Sequence, residues 1–135
     1  MSQKESFILE FSLPAKAQTI YEHWLDSAGH AAMTGADAEI TDQENTIFEA
    51  WDGYITGKNL RLEPFQLIEQ TWRTSEFMDD DDDSHLKISL KDSPDGCEVR
   101  LEHSNIPAGQ TQYLQGWKDF YEKPMLDYFT KEDRY

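Results

Sequence analysis

Few residues of this chain have the type and spacing to do chemistry. Among its four histidines, His103 stands out. The period-two alternation of Cys97–Asn105 places Cys97, Val99, Leu101 and His103 on one strand face. A histidine there has two readings. It is a core residue hydrogen-bonded to a neighbour, or it is a polar handle inside a cavity, with Gln70 or Tyr121 beside it. His23 and His30 stand seven apart across an expected helix break, and His85 borders a loop, so neither arrangement has metal-ligand spacing. No nucleophile elbow, phosphate loop or His-Glu-x-x-His pattern occurs. An acid–base enzyme would have only His103 and Gln70 to work with. The expectation is therefore no catalytic residue, no cofactor and no metal. Cys97, on the core side of its strand, reads as a buried thiol rather than a nucleophile.

Six aromatic residues, Trp24, Phe48, Trp51, Trp72, Trp117 and Tyr121, can either fill a core or line a hollow. The element that must position them is Gln110–Tyr128. There Tyr113, Leu114, Trp117, Phe120, Tyr121, Met125 and Tyr128 fall on one broad face at about 100° per residue. A helix with so wide an aromatic face needs a concave partner. Pro124 cannot donate to the carbonyl of Phe120 and is expected to kink it. Large rings opposite the smaller Cys97, Gln70 and His103 are expected to leave a void that an apolar guest could enter.

The rest of the chain supplies the partner. Ser6–Leu13 alternates as a half-buried strand, and Pro14 opens a helix over Ala15–Leu25. Asp26 and Ser27 cap a second short helix that Gly35 stops. Ala38–Thr41 is a weak edge strand. Thr46–Trp51 and Tyr54–Glu63 flank Asp52-Gly53, a two-residue hairpin signal, and Gly57 suggests a bulge. Strands over Gln66–Phe77, His85–Lys91 and Cys97–Asn105 follow, with Asp79–Asp83 as a solvated loop rather than a calcium site. Two short helices after the first strand, an antiparallel sheet of about six to seven strands and a long final helix make an α+β fold in a single domain over 1–135.

Charge narrows the partners. The net charge is −15, with −5 concentrated in residues 36–50 and −6 in residues 76–83. Phosphate backbones and anionic headgroups would be repelled, so neither nucleic acid nor membrane is an expected partner. No leader or membrane span is evident, and the single cysteine suits a reducing compartment, so a cytoplasmic protein is expected.

Three blocks of residues resemble a known family. They are Asp52-Gly53-Tyr54-Ile55-Thr56-Gly57, Leu67-Ile68-Glu69-Gln70-Thr71-Trp72-Arg73, and Asn105-Ile106-Pro107 followed by Gly116-Trp117-Lys118-Asp119-Phe120-Tyr121. In order and spacing they resemble the C-terminal domain of the Aha family, activators of the heat-shock chaperone ATPase. That family belongs to the START-like, Bet v allergen-like superfamily. In full activators a separate N-terminal domain precedes this one, whereas this chain starts directly at the first strand. The resemblance implies a helix-grip fold, a curved sheet wrapped around the C-terminal helix. It also implies a non-enzymatic function: binding an apolar small molecule or a protein partner in or around the groove between sheet and helix. The alternative is a stand-alone co-chaperone that contacts a heat-shock ATPase; an enzyme of the same superfamily is a third class.

Overall fold

The computed structural model describes residues 4–110 and 112–132. Strand β1 (Glu5–Leu13) leads into helices α1 (Ala17–Trp24) and α2 (Ser27–Thr34). Strands β2 (Ile47–Ala50), β3 (Ile55–Glu63), β4 (Leu67–Thr74), β5 (Ser84–Ser93) and β6 (Gly96–Ile106) follow. The chain ends in α3 (Tyr113–Trp117), a π-helical turn (Lys118–Glu122) and α4 (Lys123–Glu132). All neighbours pair antiparallel, in the order β1-β6-β5-β4-β3-β2. The curved sheet grips the C-terminal helix, and the expected helix-grip α+β fold is borne out. Glu39 adds an isolated bridge to Glu49 where an edge strand was expected. Among the described residues no helix is long and apolar enough to cross a membrane.

Alternation decides which side chains meet the helix. In β4 the set Ile68, Gln70 and Trp72 is buried, and in β6 the set Cys97, Val99, Leu101 and His103. Helix α2 begins where the Asp26 carboxylate accepts from the Gly29 amide at 2.8 Å, and it ends at Gly35 with φ 84°. Helix α1 has no side-chain cap of its own; the Ala17 amide instead donates to Asp92 on β5 at 2.8 Å. That bond ties the start of the helix to the sheet.

Several expectations need correction. The hairpin after β2 is a four-residue loop, Trp51–Tyr54, because Ala50 already pairs with Ile55. Trp51 and Asp52 both adopt left-handed backbone, at φ 53° and 58°, so the turn takes one residue from each strand flanking Asp52-Gly53. Gly57 is not a bulge. Its register with Phe48 is regular, and the irregularity lies between Asn59 and Arg61. A Cβ at Gly57 would stand 2.0 Å from the Thr71 carbonyl and 2.6 Å from the Phe48 ring, so the glycine permits close approach. Strand β4 stops at Thr74 rather than Phe77, where the Phe77 amide turns back to the Thr74 carbonyl. The aspartate run is a loop as expected but not a loose one. The Arg73 guanidinium reaches into it, donating to the Met78 and Asp81 carbonyls and to the Asp83 carboxylate at 2.8 Å.

The proline in the final helix acts differently from a simple kink. With no N–H at Pro124, the preceding turn widens and the Lys123 amide donates to Lys118 instead. The buried stripe is therefore Tyr113, Trp117, Tyr121, Met125 and Phe129, while Phe120, expected on that face, is 53% exposed.

Candidate functional site

Trp117 is the centre of a closed aromatic layer. Its ring lies 5.6 Å from Trp72, 4.7 Å from Tyr121, 5.9 Å from His103 and 6.2 Å from Trp24. An indole N–H can only donate, so the bond from Trp117 Nε1 to His103 Nδ1 at 3.0 Å fixes the imidazole tautomer. His103 Nε2–H then donates to Ser84 Oγ at 2.8 Å, and the Ser84 hydroxyl donates to the Trp72 carbonyl. Burial holds His103 neutral, its pKa pushed down to about 3, with His85 adding a smaller repulsion. His103 is thus a core histidine whose two nitrogens are satisfied by Trp117 and Ser84, not by Gln70 or Tyr121.

A second buried histidine forms a matching relay, one that periodicity did not single out. His30 Nδ1–H donates to the Trp24 carbonyl at 2.9 Å, leaving Nε2 to accept from the Tyr121 hydroxyl at 2.9 Å. Burial lowers the His30 pKa and raises that of Tyr121 well above the usual phenol range. The Trp51 indole N–H lies near enough to Tyr121 to ease its shift slightly, yet it makes no hydrogen bond of normal geometry.

The space beneath Trp117 is therefore filled, and the hollow lies elsewhere. A half-open groove of about 550 Å³ runs along the flank of the helix facing the β2–β3 loop. Trp51, Tyr54 and Ile55 form one wall, and Trp72 forms the floor. Tyr113, Gly116, Trp117, Phe120 and Tyr121 form the other wall, with Gln112, Gln115 and Asp119 completing the lining. Trp51 and Phe120 face each other edge-on at 5.2 Å. The three tyrosine hydroxyls are all engaged: Tyr54 donates to Glu76, Tyr113 to Gln110 Oε1 at 2.6 Å and Tyr121 to His30. Tyr54 is pushed up to about 12, first by burial and then by its bond to Glu76. The groove thus presents rings rather than hydroxyl groups.

Of the nine residues singled out from sequence, Trp51, Trp72, Trp117 and Tyr121 line this groove. The other five lie in the core. Trp24 stacks on Trp117 from the far side, and Phe48 packs under Gly57. Gln70 donates to Asn59 at 2.8 Å, its carbonyl oxygen has no partner among the described residues, and Cys97 and His103 are wholly buried. Beside His103 the expected void is filled, because the relay to Ser84 and the rings of Trp72 and Trp117 occupy that space. Tyr54, Ile55, Tyr113, Gly116 and Phe120 were missed as lining residues. Tyr54 and Ile55 could be found only by knowing the true hairpin loop, and Phe120 only by knowing the π turn. Among the described residues, no three His, Cys, Asp or Glu side chains gather as metal ligands would.

Comparison with known proteins places this geometry. The family model for "Activator of Hsp90 ATPase homolog 1-like protein" matches residues 14–129. A Schizosaccharomyces pombe relative, described as uncharacterized, is 26% identical over 120 residues, covering 88% of this chain and 35% of that protein. The chain therefore spans little more than a third of that relative's length. A Mesorhizobium loti protein of solved structure superposes with a TM-score of 0.80 at 16% identity, covering 94% of this chain and 98% of that one. A Plasmodium falciparum structure described as an HSP90 activator superposes with a TM-score of 0.77 at 18% identity, covering 87% and 91%. At these identities the structural likeness shows the fold. The family match itself runs from the end of β1 to Phe129, and on it the chain belongs to the Activator of Hsp90 ATPase homolog 1-like family.

Proposed function

We propose that the protein is a non-enzymatic START-like module that receives an apolar, aromatic small molecule in the groove between the C-terminal helix and the β2–β3 loop. The observation that carries this reading is the wall of seven aromatic rings around about 550 Å³, a volume within the roughly 300–1,000 Å³ of small-molecule sites. His103 and Gln70, the two groups an acid–base enzyme would need, are both buried, His103 against the rings of Trp72 and Trp117. A ligand filling the groove should bind in the micromolar range, about −8 kcal/mol.

N-phenyl-1-naphthylamine, whose fluorescence rises on entering an apolar site, tests the reading. A Cβ added at Gly116 would meet only Phe120, at 3.9 Å, so Gly116→Phe places a ring in the groove without displacing backbone. The dye should bind the parent chain and not the folded variant. No fluorescence rise with the parent chain would sink the ligand reading.

A second reading has its own support. The family description concerns activation of the Hsp90 ATPase, and the Plasmodium falciparum protein of like fold is described as an HSP90 activator. In that reading the exposed Phe120 and Tyr54 at the groove contact the chaperone. Stimulation of an Hsp90 ATPase that is lost in Phe120→Ala supports it, and no stimulation at saturating protein counts against it.

A further inference from the structure

Resting on the small-molecule reading above, we propose that the groove's ligand is a lipophilic cation, an aromatic amine or quaternary ammonium. Among the described residues, Asp119 is the one charged residue lining the groove. Gln115 donates to one of its carboxylate oxygens at 3.0 Å, which holds the group beside Phe120 while it remains exposed. The rings opposite carry negative quadrupoles on their faces, which attract a cation and repel an anion. Tyr54 is further enriched because its hydroxyl donates to the Glu76 carboxylate, shifting electron density into the ring.

Solvation points the same way. Among the described residues no lysine, arginine or histidine lines the groove, so an anionic ligand would give up water for ring faces and a carboxylate. A quaternary ammonium is weakly hydrated and exchanges its water for ring contacts at small cost. The net charge of −15 adds a long-range field that concentrates cations near the protein at low ionic strength. A neutral apolar ligand would use the rings but leave Asp119 with no role.

Displacement of N-phenyl-1-naphthylamine by two probes of the same shape separates charge from apolarity. Phenyltrimethylammonium and tert-butylbenzene differ only in nitrogen for carbon and one positive charge. In low salt the cation should displace the dye about tenfold more effectively. Asp119→Asn, which keeps an acceptor for Gln115, should reduce that preference several-fold and leave tert-butylbenzene unchanged. Raising the salt to about 1 M should do the same, because the carboxylate is exposed. Equal displacement, or better displacement by tert-butylbenzene, overturns the cation assignment while bound dye leaves the groove reading standing. A preference unchanged by Asp119→Asn also overturns it. A dye that fails to bind at all removes both.

Discussion

The two flanks of the C-terminal helix are built from the same residue types and have opposite fates. On the flank facing β4 and β6, the Trp117 N–H meets His103, His103 meets Ser84 and Ser84 meets a backbone carbonyl. Every polar atom in that chain has a partner, and Trp117 is 2% exposed. On the flank facing the β2–β3 loop, the Trp51 N–H is buried with no acceptor among the described residues, and Phe120 stands half in solvent. The backbone there is irregular on both sides, with left-handed residues at Trp51 and Asp52 and a π turn at 118–122. Regular strands and a satisfied polar relay close an aromatic layer; irregular backbone opposite a widened turn holds one open.

The sharpest break of this contrast comes from Trp117→Ala. It opens a cavity in the closed flank and strands His103 Nδ1, so urea unfolding at pH 7 should show a loss of about 3–5 kcal/mol. A loss under about 1 kcal/mol would mean that this flank is no better packed than the groove. The next effect is in pH. His103 is neutral when folded, with its pKa near 3 against about 6.5 unfolded. The unfolded chain therefore binds the extra proton between those values. The stability contributed is fully present above about pH 6.5 and is lost as pH falls toward 3, at about 1.4 kcal/mol per unit. Burial lowers His30 as well, and its contribution runs in the same direction. Unfolding free energies at pH 7 and pH 5 should differ less in His103→Gln than in the parent by about 2 kcal/mol. Identical pH slopes in the two proteins would contradict a buried neutral imidazole.

On the open flank the changes should be small, and one should have the opposite sign. Gly116→Ala adds a methyl group in ordinary contact with Phe120 and removes a glycine from a helix. Its melting temperature should rise, reflecting roughly 0.5–1 kcal/mol. A fall would show that the groove wall is tighter than its geometry. Phe120→Ala, with half the ring already in solvent, should cost under about 1 kcal/mol in the same experiment.

Most of the scaffold was readable from residue patterns. The alternation in β4 and β6 located Ile68, Gln70, Trp72, Cys97, Val99, Leu101 and His103 on the buried face, and Asp26 with Gly35 bounded α2. The groove was readable only in part. Trp51, Trp72, Trp117 and Tyr121 could be named from their size and type, but side-chain type cannot distinguish a ring in a packed layer from one at its edge. That distinction depends on the four-residue loop and the π turn. The first rests on left-handed backbone at Trp51 as well as Asp52, a conformation that aspartate tolerates and that the bulky tryptophan disfavours. The second follows from Pro124, whose missing donor predicts a bend from sequence and is met instead by an added residue in the turn.

That added residue also governs phase. The buried positions Tyr113, Trp117, Tyr121, Met125 and Phe129 are each four apart. In a straight α-helix a four-residue step overshoots a full turn by about 40°, so the stripe would wind through roughly 160° from end to end. The wide turn inserts about one residue's rotation, near 100°, and sets most of that drift back. One sheet can therefore hold both Tyr113 and Phe129, sixteen residues apart, on a single line of contact. If 118–122 wound as a regular α-helix with every residue kept, the drift would return and turn Met125 and Phe129 away from the sheet, whereas deleting one residue there would leave a straight α-helix with both still facing it.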